Sequence, residues 1–262
     1  MARGTGVQSV ERALALLEAL DTAGDAVGIG ELAAATGLPA GTIHRLLRTL
    51  VDRGWAHQLP DRRYMLGTRI ARMGASANAL LGRRARPVLR AVAVELGETA
   101  NLAVLAADAA EYVAQVAGTH SMRMFTEVGS RVPLHSTGVG KALLSRLPDE
   151  TVRDLLRRMG MPRFTDTTIT DPERMVRELA AVRERGYAVD DGEMELGVRC
   201  VAVPFTAGVR FAISVSGPAP RMTDALVARA AAALTDAAAR LRDELDDRHA
   251  APDRGGEDVA PS

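Results

Sequence analysis

Two groups of residues in this 262-residue sequence have types and spacings that suit recognition chemistry. The first is Thr42, His44, Arg45 and Arg48. Residues three or four apart share one face of a helix. Arg45 and Arg48 therefore stand together, opposite Ile43, Leu46, Leu47 and Leu50. Arginine pairs with guanine O6 and N7 in the major groove, while hydroxyls more often orient on phosphate. This face suits reading of double-stranded DNA, with Thr42, His44 and Arg45 toward bases. Arg48 meets a base or a phosphate, or stands in solvent. Arg62 and Arg63 follow in a turn and suit phosphate or the minor groove. The second group surrounds an anion pocket. Gly138-Val139 opens a helix whose first N–H groups favour a carboxylate. Ser214 and Ser216 point to one face of a strand, because side chains alternate. Cys200 lies on a strand expected to be buried, where it reads equally well as plain core, and the two serines also fit a solvent-facing pair.

Catalytic motifs fail when tested. Gly140-Lys141 suggests a phosphate loop, but His135 stands where its first glycine belongs and Ala142 where Ser or Thr is needed. Gly138, Gly140 and Leu143 make a broken dinucleotide fingerprint. There is no Gly-x-Ser-x-Gly elbow. The five histidines (44, 57, 120, 135 and 249) form no HExxH, and one cysteine forms no zinc cluster. No catalytic residue, metal or cofactor is expected. The alternative is a metabolic enzyme in which the N-terminal unit only mediates assembly.

The elements that must position these residues follow from periodicity. Residues 8–22 carry apolar positions at Val10, Ala13, Leu14, Leu17 and Leu20, the rhythm of an amphipathic helix. Val27-Gly28-Ile29 reads as a short strand, and a second helix follows to Thr36, with Gly37 as its C-terminal cap. Pro39 suits the first turn of a third helix, which ends at Gly54. Residues 55–58 and 63–66 read as a hairpin in which Trp55 and Tyr64 face each other. Together these predict a helix-turn-helix with a trailing wing, a known way to set the second helix of the pair in a DNA groove.

Residues 68–98 read as a connecting helix and a first helix of a second domain, broken or kinked at Pro87. Strands are predicted at 101–107, 112–117, 122–128, 187–190, 199–206 and 209–216. Helices are predicted at 138–147, 149–159, 171–185 and 223–245. The second domain is thus α+β. The expected organisation is a winged helix-turn-helix over 1–67, a connecting helix over 68–84, an effector domain over 85–248 and a disordered tail over 249–262.

The formal net charge is +0, from 33 basic and 33 acidic side chains. That balance hides an asymmetry. Between Pro39 and Arg90 eleven arginines face only Asp52 and Asp61, so the rest of the chain carries the compensating negative excess. Such a local basic stretch fits polyanion binding, or solvated helix faces. Lys141 is the one basic residue that is not arginine, a bias attributed to composition. Aromatic residues at 3% disfavour a stacking platform for single strands. One cysteine fits a reducing cytosol, and no apolar run approaches the roughly 18 residues of a membrane helix. The N-terminus lacks a signal-peptide core, so a cytoplasmic location is expected.

Several spaced motifs carry a family resemblance. They are Gln8–Leu14, Gly37-Leu38-Pro39, Thr42–Leu50, Tyr64–Gly67, His135–Leu143, Gly197–Ala202 and Ile213–Pro218. On them the chain from about Val7 to Leu245 resembles the IclR family of bacterial transcriptional regulators. The resemblance implies a winged helix-turn-helix, a connecting helix and a GAF-like effector-binding domain with a central antiparallel sheet, assembled as a homodimer or homotetramer on a pseudo-palindromic operator. Within the family the chain is most similar to allantoin/glyoxylate-responsive repressors. An activator responding to an aromatic acid is the alternative. The resemblance places effector contacts at Gly138, Val139, Asp190, Cys200, Ser214 and Ser216. Asp190 suits an anion only if it is protonated or accepts a hydroxyl, an N–H or a bridging water. The loop Phe205–Val209 is shorter than the family's hairpin.

Overall fold

The computed structural model describes residues 6–246. The chain forms two compact units that divide between Ala79 and Leu80.

The first unit holds α1 (Gln8–Ala23), α2 (Ile29–Thr36), α3 (Ala40–Asp52), β1 (Ala56–Gln58) and β2 (Tyr64–Leu66). Its helices turn one apolar stripe each to a shared core of Leu16, Leu20, Leu32, Ile43, Leu47, Leu50, Ala56 and Tyr64. Gly37 ends α2 at φ +68, a left-handed conformation that costs other residues a Cβ clash. Pro39 is the N-cap of α3 rather than a residue of its first turn; its carbonyl accepts from Thr42 and Ile43 N–H. The hairpin forms, but its register pairs Gln58 with Tyr64 and Ala56 with Leu66. Trp55 therefore does not face Tyr64. Tyr64 enters the core and bridges Val27, while Trp55 lies under the Arg69 guanidinium, 5.6 Å from the ring centre.

Helix α4 runs without interruption from Thr68 to Leu96, with Pro87 inside it. The expected boundary between residues 84 and 85 thus falls within one helix. A proline removes one helical hydrogen bond. Burial of Ala85, Val88, Leu89, Val92, Ala93 and Leu96 offsets that loss.

The second unit is a six-stranded antiparallel sheet in the order β5-β4-β3-β8-β7-β6. Its strands are β3 (Thr99–Ala106), β4 (Ala109–Val116), β5 (Arg131–Val132), β6 (Ala188–Asp191), β7 (Val198–Ala207) and β8 (Val209–Pro218). One face packs on α8 (Asp224–Asp246) and the second half of α4. The other packs on α5 (Gly138–Leu144), α6 (Asp149–Met159) and α7 (Pro172–Arg185). The strand expected at 122–128 is absent: Met122, Phe125 and Val128 stand in solvent, and the residues that pair with the outer edge of β4 are Arg131-Val132. β-propensity yields to context, and this segment forms no ladder with a neighbouring strand. The hairpin between β7 and β8 turns tightly through Ala207 at φ +51 and Gly208 at φ +71. Among the described residues no helix is long and apolar enough to cross a membrane, and no cluster of three or more His, Cys, Asp or Glu could hold a metal. The expected tail from 249 onward lies outside the described residues.

Candidate DNA-reading surface and effector site

Core packing of Ile43, Leu47 and Leu50 leaves the opposite face of α3 outward. His44, Arg45 and Arg48 are exposed, and Thr42 is half-buried at its start. The Thr49 hydroxyl bonds back to the Arg45 carbonyl within the helix. In the wing, Arg62 sits at the tip with φ +67 and forms no ion pair among the described residues. Arg63 differs. Its Nε donates to Asp61 at 2.7 Å, and its Nη1 reaches the Ala26 carbonyl at 3.4 Å. That hydrogen bond holds the Asp61 carboxyl below the usual carboxylate range. Arg63 is therefore tied into the wing, whereas Arg62 and the α3 arginines present free charge.

The second group converges on one face of the sheet, the face covered by α5. Register places Thr99 opposite Ser216, Ser216 opposite Cys200, and Cys200 opposite Asp190, one row across four strands. Two residues along the strands, a second row runs Gln115, Asn101, Ser214 and Ala202. Gly138 lies directly against this face, because a Cβ there would stand 2.9 Å from Cys200 Sγ. The Val139 side chain is fully buried in the apolar layer.

Helix α5 is shorter than expected, ending at Leu144 instead of Leu147. The chain turns there through bonds from Arg146 N to Leu143 O and Leu147 N to Leu144 O, before Pro148. At two turns its dipole is slight. What it offers are individual donors, since the N–H groups of Gly138 and Val139 have no partner within the helix. The Thr137 side chain caps the Gly140 N–H at 3.1 Å.

Burial sets the protonation of this site. Asp190 is 4% exposed, and desolvation pushes its pKa up to about 7, helped by the Glu193 charge and opposed by the Glu193 N–H and Lys141. Burial likewise pushes the Cys200 thiol up to about 12, against the Ser216 and Ser214 hydroxyls. The Tyr112 hydroxyl is raised by burial, with Cys200 and Asp190 adding to it. The Ser214 hydroxyl lies beside this thiol but has no hydrogen bond of acceptable geometry.

Two features escaped the sequence. Asn101 is 1% exposed, and neither its side-chain nitrogen nor its oxygen has a hydrogen-bond partner. It sits in an apolar strand run whose pairing no spacing reveals. Lys141, attributed to composition, is buried and ion-paired with Glu193, with Glu178 Oε1 at 4.0 Å. The one signal in the sequence was that Lys141 stands alone among 32 arginines, and a lysine carries its charge as a compact ammonium rather than a planar guanidinium.

Sequence comparison matches residues 9–60 to the IclR helix-turn-helix domain and residues 74–242 to the C-terminal domain of bacterial transcriptional regulator IclR. The chain is 39% identical over 234 residues to the transcriptional repressor IclR of Escherichia coli K12, covering 83% of this chain and 82% of that one. It is 38% identical to the HTH-type transcriptional regulator BhcR of Paracoccus denitrificans, over 90% and 86%. It is 32% identical to the HTH-type transcriptional repressor AllR of E. coli K12, over 84% and 83%. Among solved structures, an IclR regulator from Alicyclobacillus acidocaldarius superposes with a TM-score of 0.59 at 32% identity, over 90% and 98%. Thermotoga maritima IclR does so at 0.62 and 26%, over 91% and 99%. These relatives are regulators, not enzymes, which removes the metabolic-enzyme alternative. The chain belongs to the IclR family of bacterial transcriptional regulators, with a DNA-binding helix-turn-helix and an effector-binding domain.

Proposed function

We propose that this protein is a repressor that binds a pseudo-palindromic operator as a homodimer or homotetramer and releases it on binding a small carboxylate or ureide of glyoxylate or allantoin type. The observation that carries the effector site is convergence. Ser214, Ser216, Cys200, Asp190 and Gly138 come from three strands and a helix start to one enclosed face, where the Ser214 hydroxyl is buried and unpaired. The relatives named as repressors support the sign of regulation. The DNA side rests on the exposed His44, Arg45 and Arg48 of α3 with Thr42, and on the wing tip at Arg62 and Arg63. Assembly is supported by the first half of α4, where Met73 and Leu80 are exposed apolar residues. Pairing of two such helices sets the separation of two α3 helices. The effector acts by binding one separation better than the other, because a ligand shifts an equilibrium only through differential affinity.

The test is release from an operator fragment. Binding should weaken steeply with salt, as counterion release requires. Glyoxylate or allantoin should dissociate the complex. The double variant Ser214→Ala/Ser216→Ala should keep operator affinity and lose release. A double variant released at the wild-type effector concentration refutes this site.

A further inference from the structure

We propose that Asn101, with Gln115 beside it, forms a neutral hydrogen-bonding subsite of the effector pocket that selects acids carrying an amide or ureido group. The inference rests on the reading of this sheet face as the effector site.

The row Gln115–Asn101–Ser214 lies across β4, β3 and β8, each residue directly opposite the next. Four of its polar atoms have no partner: both amide atoms of Asn101, Nε2 of Gln115 and Oγ of Ser214. Asn101 and Ser214 are 1% and 0% exposed. Buried polar groups are nearly always paired, because an unpaired one forfeits its hydration. Four such atoms side by side indicate a group that arrives from outside. Directly opposed side chains stand about 5 Å apart, within reach of one small molecule.

The chemistry of the row sets the class. An asparagine amide presents donors and an acceptor side by side, Gln115 adds donors, and Ser214 does either. The row holds no charged side chain. It complements a neutral group that also carries both donor and acceptor, which an amide or ureide does. A bare oxo acid would leave most of the row unpaired. The row of Ser216, Cys200 and Asp190 lies about 7 Å further along the strands. A carboxylate lodged near Gly138 and Ser216 would therefore have its amide end at Asn101.

Two acids with the same heavy-atom skeleton test this. N-carbamoylglycine carries a ureido group, and 4-methylpentanoate replaces it with an isobutyl end. Calorimetric titration of the full chain should show the ureido acid preferred by about tenfold or more, since polar sites reject analogues that leave them unpaired. Asn101→Leu should cut that preference to roughly threefold or less without weakening 4-methylpentanoate. The ligand-free Asn101→Leu protein should melt no lower than wild type, because an apolar side chain of similar shape replaces an unpaired amide. Gln115→Leu, at a half-buried position, should reduce the preference in the same direction. Equal wild-type affinities overturn the proposal. So does an Asn101→Leu protein that melts lower with its preference intact, which marks a structural amide. Wild type that binds glyoxylate but neither larger acid removes the subsite and keeps the effector reading. Wild type that binds none of the three removes both.

Discussion

Lys141 and Glu193 form a buried ion pair that reaches Asp190 through one further bond. The Lys141 ammonium leaves α5 and meets the Glu193 carboxylate in the loop after β6. The Glu193 N–H donates to Asp190 Oδ1 at 2.7 Å. Thr165 and Thr168 hold the same loop through the Gly192 and Glu193 carbonyls, at 2.7 and 2.6 Å. The one lysine of the chain thus anchors the loop that positions a candidate effector residue. An ammonium is a compact point charge, which suits a site with carboxylates on two sides.

Removing that charge should be costly. Lys141→Met leaves Glu193 buried without its cation, and broken buried pairs typically cost about 3–5 kcal/mol. Urea denaturation should show a loss of this order. Lys141→Met combined with Glu193→Leu should recover much of it, because no charge is then stranded. A single variant within about 1 kcal/mol of wild type would mean that Glu193 is solvated or neutral without Lys141.

Asp190 makes stability depend on pH. Its folded pKa, about 7, lies above its ordinary 3.8, so the folded state holds the proton more tightly. That contribution is fully present below about pH 4 and is lost as pH rises toward 7, at up to roughly 1.4 kcal/mol per pH unit. The groups around it are Glu193, Lys141, Cys200 and Tyr112. Asp190→Asn should remove this slope from denaturation curves measured between pH 4.5 and 7.5. An anionic effector should also bind wild type more tightly at the acid end, where Asp190 is neutral. A slope unchanged in Asp190→Asn would assign the titration to Glu193, whose pKa burial also raises.

The local elements were legible where one period governed one face. The spacing of Ile43, Leu47 and Leu50 gave both the core side and the outward side of α3. Pairings between distant strands were not. A slip of one residue inverts every side chain, and the Trp55–Tyr64 expectation failed on register, since Tyr64 pairs with Gln58, three residues from Trp55. Met122–Val128 has strand composition, yet the edge of β4 is taken by Arg131-Val132 instead. Of the candidate effector contacts, helix-start and strand chemistry suggested Gly138, Val139, Cys200, Ser214 and Ser216, whereas Asp190 came only from the resemblance. The β6–β7–β8 register brings Asp190, Cys200 and Ser216 into one row. Asn101 stayed hidden because only the β3–β8 pairing puts it opposite Ser214.

The close approach of Gly138 to Cys200 yields a coupled pair. Gly138→Ala places a methyl 2.9 Å from Cys200 Sγ, where something must move. Overpacking of this kind costs about 1–3 kcal/mol. Trimming the neighbour should relieve it, so Gly138→Ala/Cys200→Ala should be less unstable than the two single losses combined. A denaturation cycle measures that coupling. Strict additivity would mean that the two residues do not touch.

The arginines of the first unit should separate by role. Arg45→Ala should cost roughly 1–3 kcal/mol on the best operator and relax preference at one base pair, if Arg45 reads a base edge. Arg62→Ala should weaken all sequences about equally and flatten the salt dependence, as loss of a phosphate contact does. Arg63→Ala should do less than Arg62→Ala, because Asp61 already engages the Arg63 guanidinium. Removing that restraint through Asp61→Ala should strengthen binding to any DNA. Fluorescence anisotropy across several salt concentrations resolves all four variants. Arg63→Ala weaker than Arg62→Ala would show that the Asp61 pair opens on DNA and that both wing arginines meet the backbone. Arg45→Ala with affinity and preference unchanged would remove α3 as the reading helix.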